Sequence, residues 1–173
     1  NQLNVSNPGI GTSNHLGQEL FFSVAKIAMT NIRYPGQPQM LPDLTSGQVH
    51  FGLVTEALAK PLIREGKLRA LAISAPTRST ELPDVPTVIE AGFGASLFLP
   101  WYGLMAPSKT PERIVKRLSD EIQSALRQQE VVARLEKLGT LLTPGSAEQF
   151  DRLLAQEQET WTRVIADRGI RAS

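Results

Sequence analysis

A chain of 173 residues with 18 Lys+Arg against 17 Asp+Glu carries a net charge of +1, which provides no electrostatic drive toward nucleic acid or an acidic membrane. Having no cysteine, it has no thiol nucleophile, disulfide framework or thiolate-bound zinc. No apolar run approaches the ~20 residues of a membrane-spanning helix. Hydrophobic residues make up 41%, ordinary for a globular domain or a domain with an appendage. The missing cysteines suit an exported protein and equally many cytosolic ones. The chain opens at Asn1 without a methionine or a basic-then-apolar leader, so the expectation is a processed chain or part of a longer one.

The first element is a glycine-rich turn, "NPGIGTSNHLGQEL" from Asn7 to Leu20, running into a predicted helix over 13–29. Leu16, Leu20, Val24 and Ala28 fall four apart, with Phe21 and Ile27 beside them. "NIRY" (31–34) reads as a short strand. "PQMLPDLTSGQ" reads as a short helix interrupted by Pro42 and closed by Gly47. In "QVHFGLV" (48–54), Val49, Phe51 and Leu53 alternate with Gln48, His50 and Gly52, which is strand periodicity. "EALAKPLIREGK" predicts a helix with a stop at Gly66, and "LRALAIS" (68–74) a buried parallel strand. A proline-rich loop follows, and then "SLFLPWYGLMAP" (96–107) reads as one extended segment. Strand and helix in alternation argue for an α/β fold with a parallel sheet covered by helices.

From Thr110 the pattern becomes almost entirely helical. Thr110 is expected to cap a helix with Pro111 at its first position and a stripe of Ile114, Leu118, Ile122 and Leu126. "EVVARLEKLG" predicts a helix closed by Gly139, and "TLLTP" a brief strand. Ser146 and Gln149 form a capping box for a last helix carrying Phe150, Leu153, Leu154, Trp161, Val164 and Ile165. Each of these helices has one apolar stripe and so requires a partner surface.

Helix starts have backbone N–H groups without internal partners and a partial positive charge, so the opening turn suits an anion. Thr12, Ser13 and Asn14 place short polar side chains there. A dinucleotide fingerprint fails, because Asn14 stands where the third glycine belongs, and no P-loop Lys is present. His15 reads as a helix-start residue bonding backbone, and His50 as a solvent-facing strand residue. No His-x-x-x-His or His–Glu arrangement points to a metal. Asp43 is expected to bond local backbone. In "LPDVPTVIEAG" a structural role is expected, such as a short helix capped from Thr87. Trp101 and Tyr102 are expected in the core, and the basic residues of "RQQEVVARLEKLG" on a solvated face.

Five stretches, "GIGTSNHLGQELF", "YPGQPQMLPDLTSGQVHFG", "GKLRALAISAPTRSTELPDVPTVIEAGF", "WYGLMAPSKTP" and "EQFDRLLAQEQETWTRVIADRGI", together resemble the substrate-binding proteins of tripartite tricarboxylate transporters, periplasmic receptors often called the Bug family. The resemblance implies a periplasmic-binding-protein-like (type II) fold, with ligand between two lobes. It implies binding of small organic carboxylates, amino acids or aromatic acids, delivery to a two-part membrane permease or a sensor kinase, no catalysis and no cofactor. Residues 1–100 then correspond to the second ligand-binding lobe. Residues 101–173 correspond to a hinge-crossing strand and C-terminal helices that pack on the first lobe, whose N-terminal part has no counterpart here.

The resemblance maps ligand-binding positions onto Asn7, Gly9, Gly11, Thr12 and His15 of the first loop, Tyr34 and Gly36 of a Tyr-x-Gly turn, and Thr55 after the 48–54 strand. Asn7 stands where many members have Ser, Pro35 where Lys is usual, and Thr55 near a position often acidic or amide, which disfavours an amino-acid ligand. Two further readings remain: a homodimerising interaction module built on the apolar stripes of 111–128 and 147–166, and a hydrolase using Thr12 or Ser13 with His15.

Overall fold

The structure is a computed structural model describing residues 3–137, 140 and 142–171. Among them the elements run β1 (Asn4–Asn7), α1 (Ser13–Ala25), β2 (Thr30–Arg33), α2 (Gln37–Ser46), β3 (Phe51–Gly52), α3 (Glu56–Arg64), a 3-10 turn at Gly94–Ser96, α4 (Glu112–Ala125), α5 (Gln129–Lys137) and α6 (Ala147–Asp167). The three strands form one sheet in the order β2-β1-β3. Both pairings are parallel, with Val5 opposite Asn31 on one side and Phe51 on the other. This is the α/β, parallel-sheet architecture that the alternating pattern predicts.

The chain divides into two compact units, Asn1–Pro100 with Trp161–Ser173, and Trp101–Thr160. In the first, the sheet buries Val5, and Phe22, Met40 and Val49 are buried with it. Leu20, Phe98 and Val164 form a cluster flanked by Val24, Leu53 and Trp161, with the Phe98 and Trp161 rings edge to face at 5.4 Å. Gly17 makes this possible: a Cβ there would collide with the Phe98 ring. Phe21 stacks on Phe51 at 5.8 Å and meets Phe93 edge-on at 5.3 Å.

Several predicted elements are shorter than their patterns. Helix α1 ends at Ala25, not at 29, because Lys26 turns left-handed (φ 54°) and the Ile27 N–H reaches back to Phe22 O at 3.1 Å. This closure lets Thr30 N–H return to Leu3 O in the sheet. The 48–54 strand keeps ladder pairing only at Phe51–Gly52. Beyond them Leu53 O is taken by the Asn14 side chain at 2.9 Å. Helix α2 runs through Pro42, whose place inside it leaves one N–H bond unmade, and closes at Gly47 (φ 80°).

The 68–74 segment does not form the expected buried strand. Only Ile73 pairs, in an isolated bridge to Thr87, and Leu71 is 63% exposed. An apolar run becomes a strand only where another strand offers its backbone groups, and here the loop at Pro86–Val88 offers two bonds. That loop has the expected structural role. Thr87 and Glu90 cap one another reciprocally around one turn, and Arg78 holds Glu90.

In the second unit no described residue is buried. Trp101 and Tyr102 are therefore not core. Trp101 lies edge-on to Phe150 at 5.1 Å and remains partly exposed, while Tyr102 is 93% exposed. Leu97–Pro107 carries no regular secondary structure. Helix α4 starts one residue later than expected: Pro111 holds the cap position, and no side chain, Thr110 included, caps it. Its Ile114 and Leu118 are exposed. On α5, Arg134 pairs with Glu130 on an exposed face, as predicted. The Ser146–Gln149 capping box forms at the start of α6, with Ser146 N–H on Gln149 Oε1 at 2.7 Å. Gly139 and Leu141, and with them the expected stop of α5 and part of the 140–144 strand, lie outside the described residues. Thr140 and 142–144 are not in a strand.

Candidate functional site

Parallel pairing places the carboxyl ends of β1, β2 and β3 at one edge of the sheet, so the N-termini of α1, α2 and α3 open there together. Such an edge is where open α/β sheets bind ligands. Its first loop is built by short-range bonds. Asn7 Oδ1 accepts Gly9 N–H at 2.8 Å, and Thr12 Oγ1 donates to Gly9 O at 2.7 Å while accepting His15 N–H at 3.4 Å. Gly9 and Gly11 take φ of 136° and 76°, values that other residues rarely adopt. Gly11 N–H donates to His15 Nδ1 at 3.2 Å. Among the described residues, the N–H groups of Ile10, Ser13 and Asn14 have no internal partner. Unpaired N–H groups at a helix start are available as donors to an anion.

The second and third loops are tied to the first. Asn14 Oδ1 accepts from Gln37 Nε2 at 3.3 Å, and Gln37 Oε1 accepts Thr55 N–H at 2.8 Å. With Asn14 Nδ2 on Leu53 O, two amide side chains connect all three helix starts. Tyr34 N–H binds Asn7 O at 2.8 Å, which fastens the second loop to the end of β1. The Tyr34 hydroxyl donates to Asp43 Oδ2 at 2.6 Å. Asp43 therefore uses its side chain on Tyr34 and not on local backbone as expected. Burial and this bond push the Tyr34 hydroxyl up to about 12.

His15 is buried and bonds backbone, as its position at a helix start predicts. Burial holds its imidazole below the usual value, with the Glu19 carboxylate pulling the other way. Its Nδ1 is occupied by Gly11 N–H and its Nε2 faces Glu19 Oε1 at 3.8 Å. Neither nitrogen serves as a base for Thr12 or Ser13, so the hydrolase arrangement is not assembled. His50 is exposed, with Nδ1 accepting Asn4 N–H at 3.1 Å. Among the described residues no helix is long and apolar enough to cross a membrane.

Residues 1–170 match the family described as "Tripartite tricarboxylate transporter family receptor". The chain belongs to that family. BugT of Bordetella pertussis is 32% identical over 160 residues, covering 92% of this chain and 49% of its own length. The chain covers 49% of BugT and 52% of a curated protein of Pseudomonas sp. strain P51 that is 31% identical to it, about half the length of each. Among solved structures, MatC of Rhodopseudomonas palustris with bound malate is 34% identical at a TM-score of 0.72, covering 94% of this chain and 56% of that one. The R. palustris protein Rpa4515 with adipate is 29% identical at a TM-score of 0.74, covering 97% and 56%.

In this tripartite tricarboxylate transporter receptor chain, Asn7 ends β1, Gly9, Gly11 and Thr12 lie on the β1–α1 loop, His15 lies in the first turn of α1, Tyr34 and Gly36 lie on the β2–α2 loop, and Thr55 lies at the start of α3. The glycine and histidine positions shape the loop through internal bonds, which leaves Ile10, Ser13 and Asn14 N–H as the open donors. Sequence reasoning picked out Ser13 and Asn14 only as polar company for the turn and passed over Gln37. A glutamine at the first position of α2, next to the Tyr-x-Gly turn, was the available signal. Its partner Asn14 is 23 residues away, and nothing local announces the pair.

Proposed function

We propose that this chain is the second ligand-binding lobe, with attached hinge and C-terminal segments, of a periplasmic solute receptor that holds the carboxylate of a small organic acid and delivers it to a tripartite tricarboxylate-type permease. The supporting observation is the convergence of three helix N-termini on one sheet edge, locked together by Asn14 and Gln37, with open N–H donors at Ile10, Ser13 and Asn14. Aligned helix dipoles and N–H groups favour a carboxylate without a cationic side chain. The structural relatives holding malate and adipate support a dicarboxylate as the ligand class. On this reading residues 1–100 form the lobe, with the end of α6 packed on it, and the rest of 101–173 crosses the hinge and completes the partner lobe. The chain performs no catalysis and uses no cofactor.

A charge-assisted hydrogen bond contributes about 1.5–3 kcal/mol, and association costs at least about 4 kcal/mol in lost freedom. Three such bonds toward the upper end of that range leave about 4 kcal/mol, an affinity of about 1 mM, and fewer or weaker ones leave less. The test is an amide NMR titration of the chain with malate and adipate. Saturable shifts confined to 9–14, 34–37 and 55 at millimolar ligand are expected. Absence of shifts, or shifts elsewhere, overturns the reading, and a micromolar single-site fit refutes the one-lobe account of affinity.

The exposed Ile114 and Leu118, in a unit where no described residue is buried, favour a second reading: self-association through the C-terminal helices. Sedimentation of a monomer at micromolar concentration would dispose of it.

A further inference from the structure

Gly11 sets the shape of the carboxylate loop, and its N–H is accepted by an unprotonated nitrogen, His15 Nδ1. A neutral imidazole so engaged carries its proton on Nε2. That atom faces Glu19 Oε1 at 3.8 Å, too long for a hydrogen bond but close enough for the carboxylate to favour a proton there. Glu19 is itself pinned. Its Oε1 accepts from Asn31 Nδ2 at 3.0 Å, and its Oε2 accepts from Arg168 Nε at 2.7 Å. The Arg168 side chain comes from the closing turn of α6, where Gly169 (φ 61°) ends the helix and Ile170 N–H reaches back to Ile165 O.

We propose that Glu19 and Arg168 are positioning residues of the carboxylate loop: through His15 they hold the ring with its proton on Nε2, so that Nδ1 accepts the Gly11 N–H and fixes the turn. The proposal takes what the loop does from the receptor reading, and how the loop is held from the geometry alone. Glu19 orients the tautomer. Arg168 shares its charge, so the carboxylate does not draw a second proton onto the ring. A second proton would set Nδ1–H against Gly11 N–H, donor facing donor. Among the described residues, Glu19 on its own helix is the charged group acting on His15, the β2 neighbour Asn31 is neutral, and Arg168 reaches His15 only through Glu19. The end of the chain thereby sets the geometry of a loop near its beginning.

The experiment measures imidazole 15N shifts and Gly11 amide exchange in the full 173-residue chain, for the unmodified protein, Arg168→Gln, Arg168→Lys and Glu19→Gln. The unmodified protein is expected to show the neutral Nε2–H form at neutral pH. In Arg168→Gln, His15 titrates at higher pH, and Gly11 exchanges about fivefold faster near pH 6 while matching the unmodified protein near pH 8. Arg168→Lys restores most of this. Glu19→Gln moves the His15 titration to lower pH, which keeps the test decisive if Arg168→Gln fails to fold.

An Nδ1–H tautomer in the unmodified protein overturns the proposal. So does a variant that loses stability with His15 titration and Gly11 exchange unchanged, which is the signature of a purely structural ion pair. An Nε2–H tautomer with no carboxylate binding would fail the receptor reading alone. Carboxylate binding with the proton on Nδ1 would fail this inference alone.

Discussion

Arg168 donates from Nε to Glu19 Oε2 at 2.7 Å across 149 residues of sequence, onto a carboxylate whose side chain is only 6% exposed. Surface ion pairs contribute little, and the other long-range pairs, such as Arg64 with Glu81, are of that kind. This one differs because removing Arg168 leaves a buried charge without its cation. Arg168→Ala should cost about 3 kcal/mol in urea denaturation, whereas Arg64→Ala should cost under about 1 kcal/mol. Equal costs would show that the Glu19 site is wet.

Gly17 lies against the Phe98 ring with no room for a methyl group. Gly17→Ala should lower stability by about 2 kcal/mol and disturb the edge-to-face contact of Phe98 with Trp161. The check is a shift in the denaturation midpoint together with a change in near-UV circular dichroism. The paired variant Gly17→Ala with Phe98→Leu should recover part of the loss.

Gln37→Ala removes the acceptor of Thr55 N–H and the donor to Asn14. The amide of Thr55 should exchange about fivefold faster, with global stability almost unchanged because the site is at the surface. Asn14→Ala should show a coupling to Gln37→Ala in a double-mutant cycle. Strict additivity would mean that the bridge does not connect the loops.

The His15 imidazole is held below its usual value by burial. Between its folded and unfolded values the unfolded chain binds more protons, so stability is fully present above about pH 6.5 and declines as pH falls below it. Denaturation midpoints measured across this window should fall on acidification. His15→Asn, which keeps an acceptor for Gly11 N–H, should remove that part of the slope.

Tyr34 is pushed up to about 12 by burial and by Asp43. In a Tyr102→Phe background Tyr34 is the sole tyrosine, and phenolate absorbance should titrate near that value. Asp43→Asn should bring it down. Since the folded group holds its proton longer than the unfolded one, this side chain's contribution to stability is lost as pH rises above about 10.

Features governed by a few neighbouring residues were legible in the sequence. The glycine turn before α1, the stops at Gly47 and Gly66, and the Ser146–Gln149 box all follow from local φ preferences and hydrogen bonds within four residues. The parallel α/β order followed from alternation alone. For the two predicted strands that came out short or unpaired, a distant partner decided the outcome. The 68–74 run had every local mark of a strand but found only Thr87 to pair with, and β3 stopped where Asn14 captured Leu53 O. Trp101 and Tyr102 had core character but lie in a unit where no described residue is buried.

The sequence by itself thus determined the polar glycine turn before α1, the stops at Gly47 and Gly66 and the Ser146–Gln149 box, because these depend on dihedral preferences and on partners within one helical turn. Only the tertiary structure decided which donors stay open, that Asn14 and Gln37 join the loops, and that Arg168 reaches Glu19 behind His15. Such contacts are set by how strands and helices pack. A side chain's hydrogen-bonding capacity is written in its chemistry, but its partner is chosen by the fold.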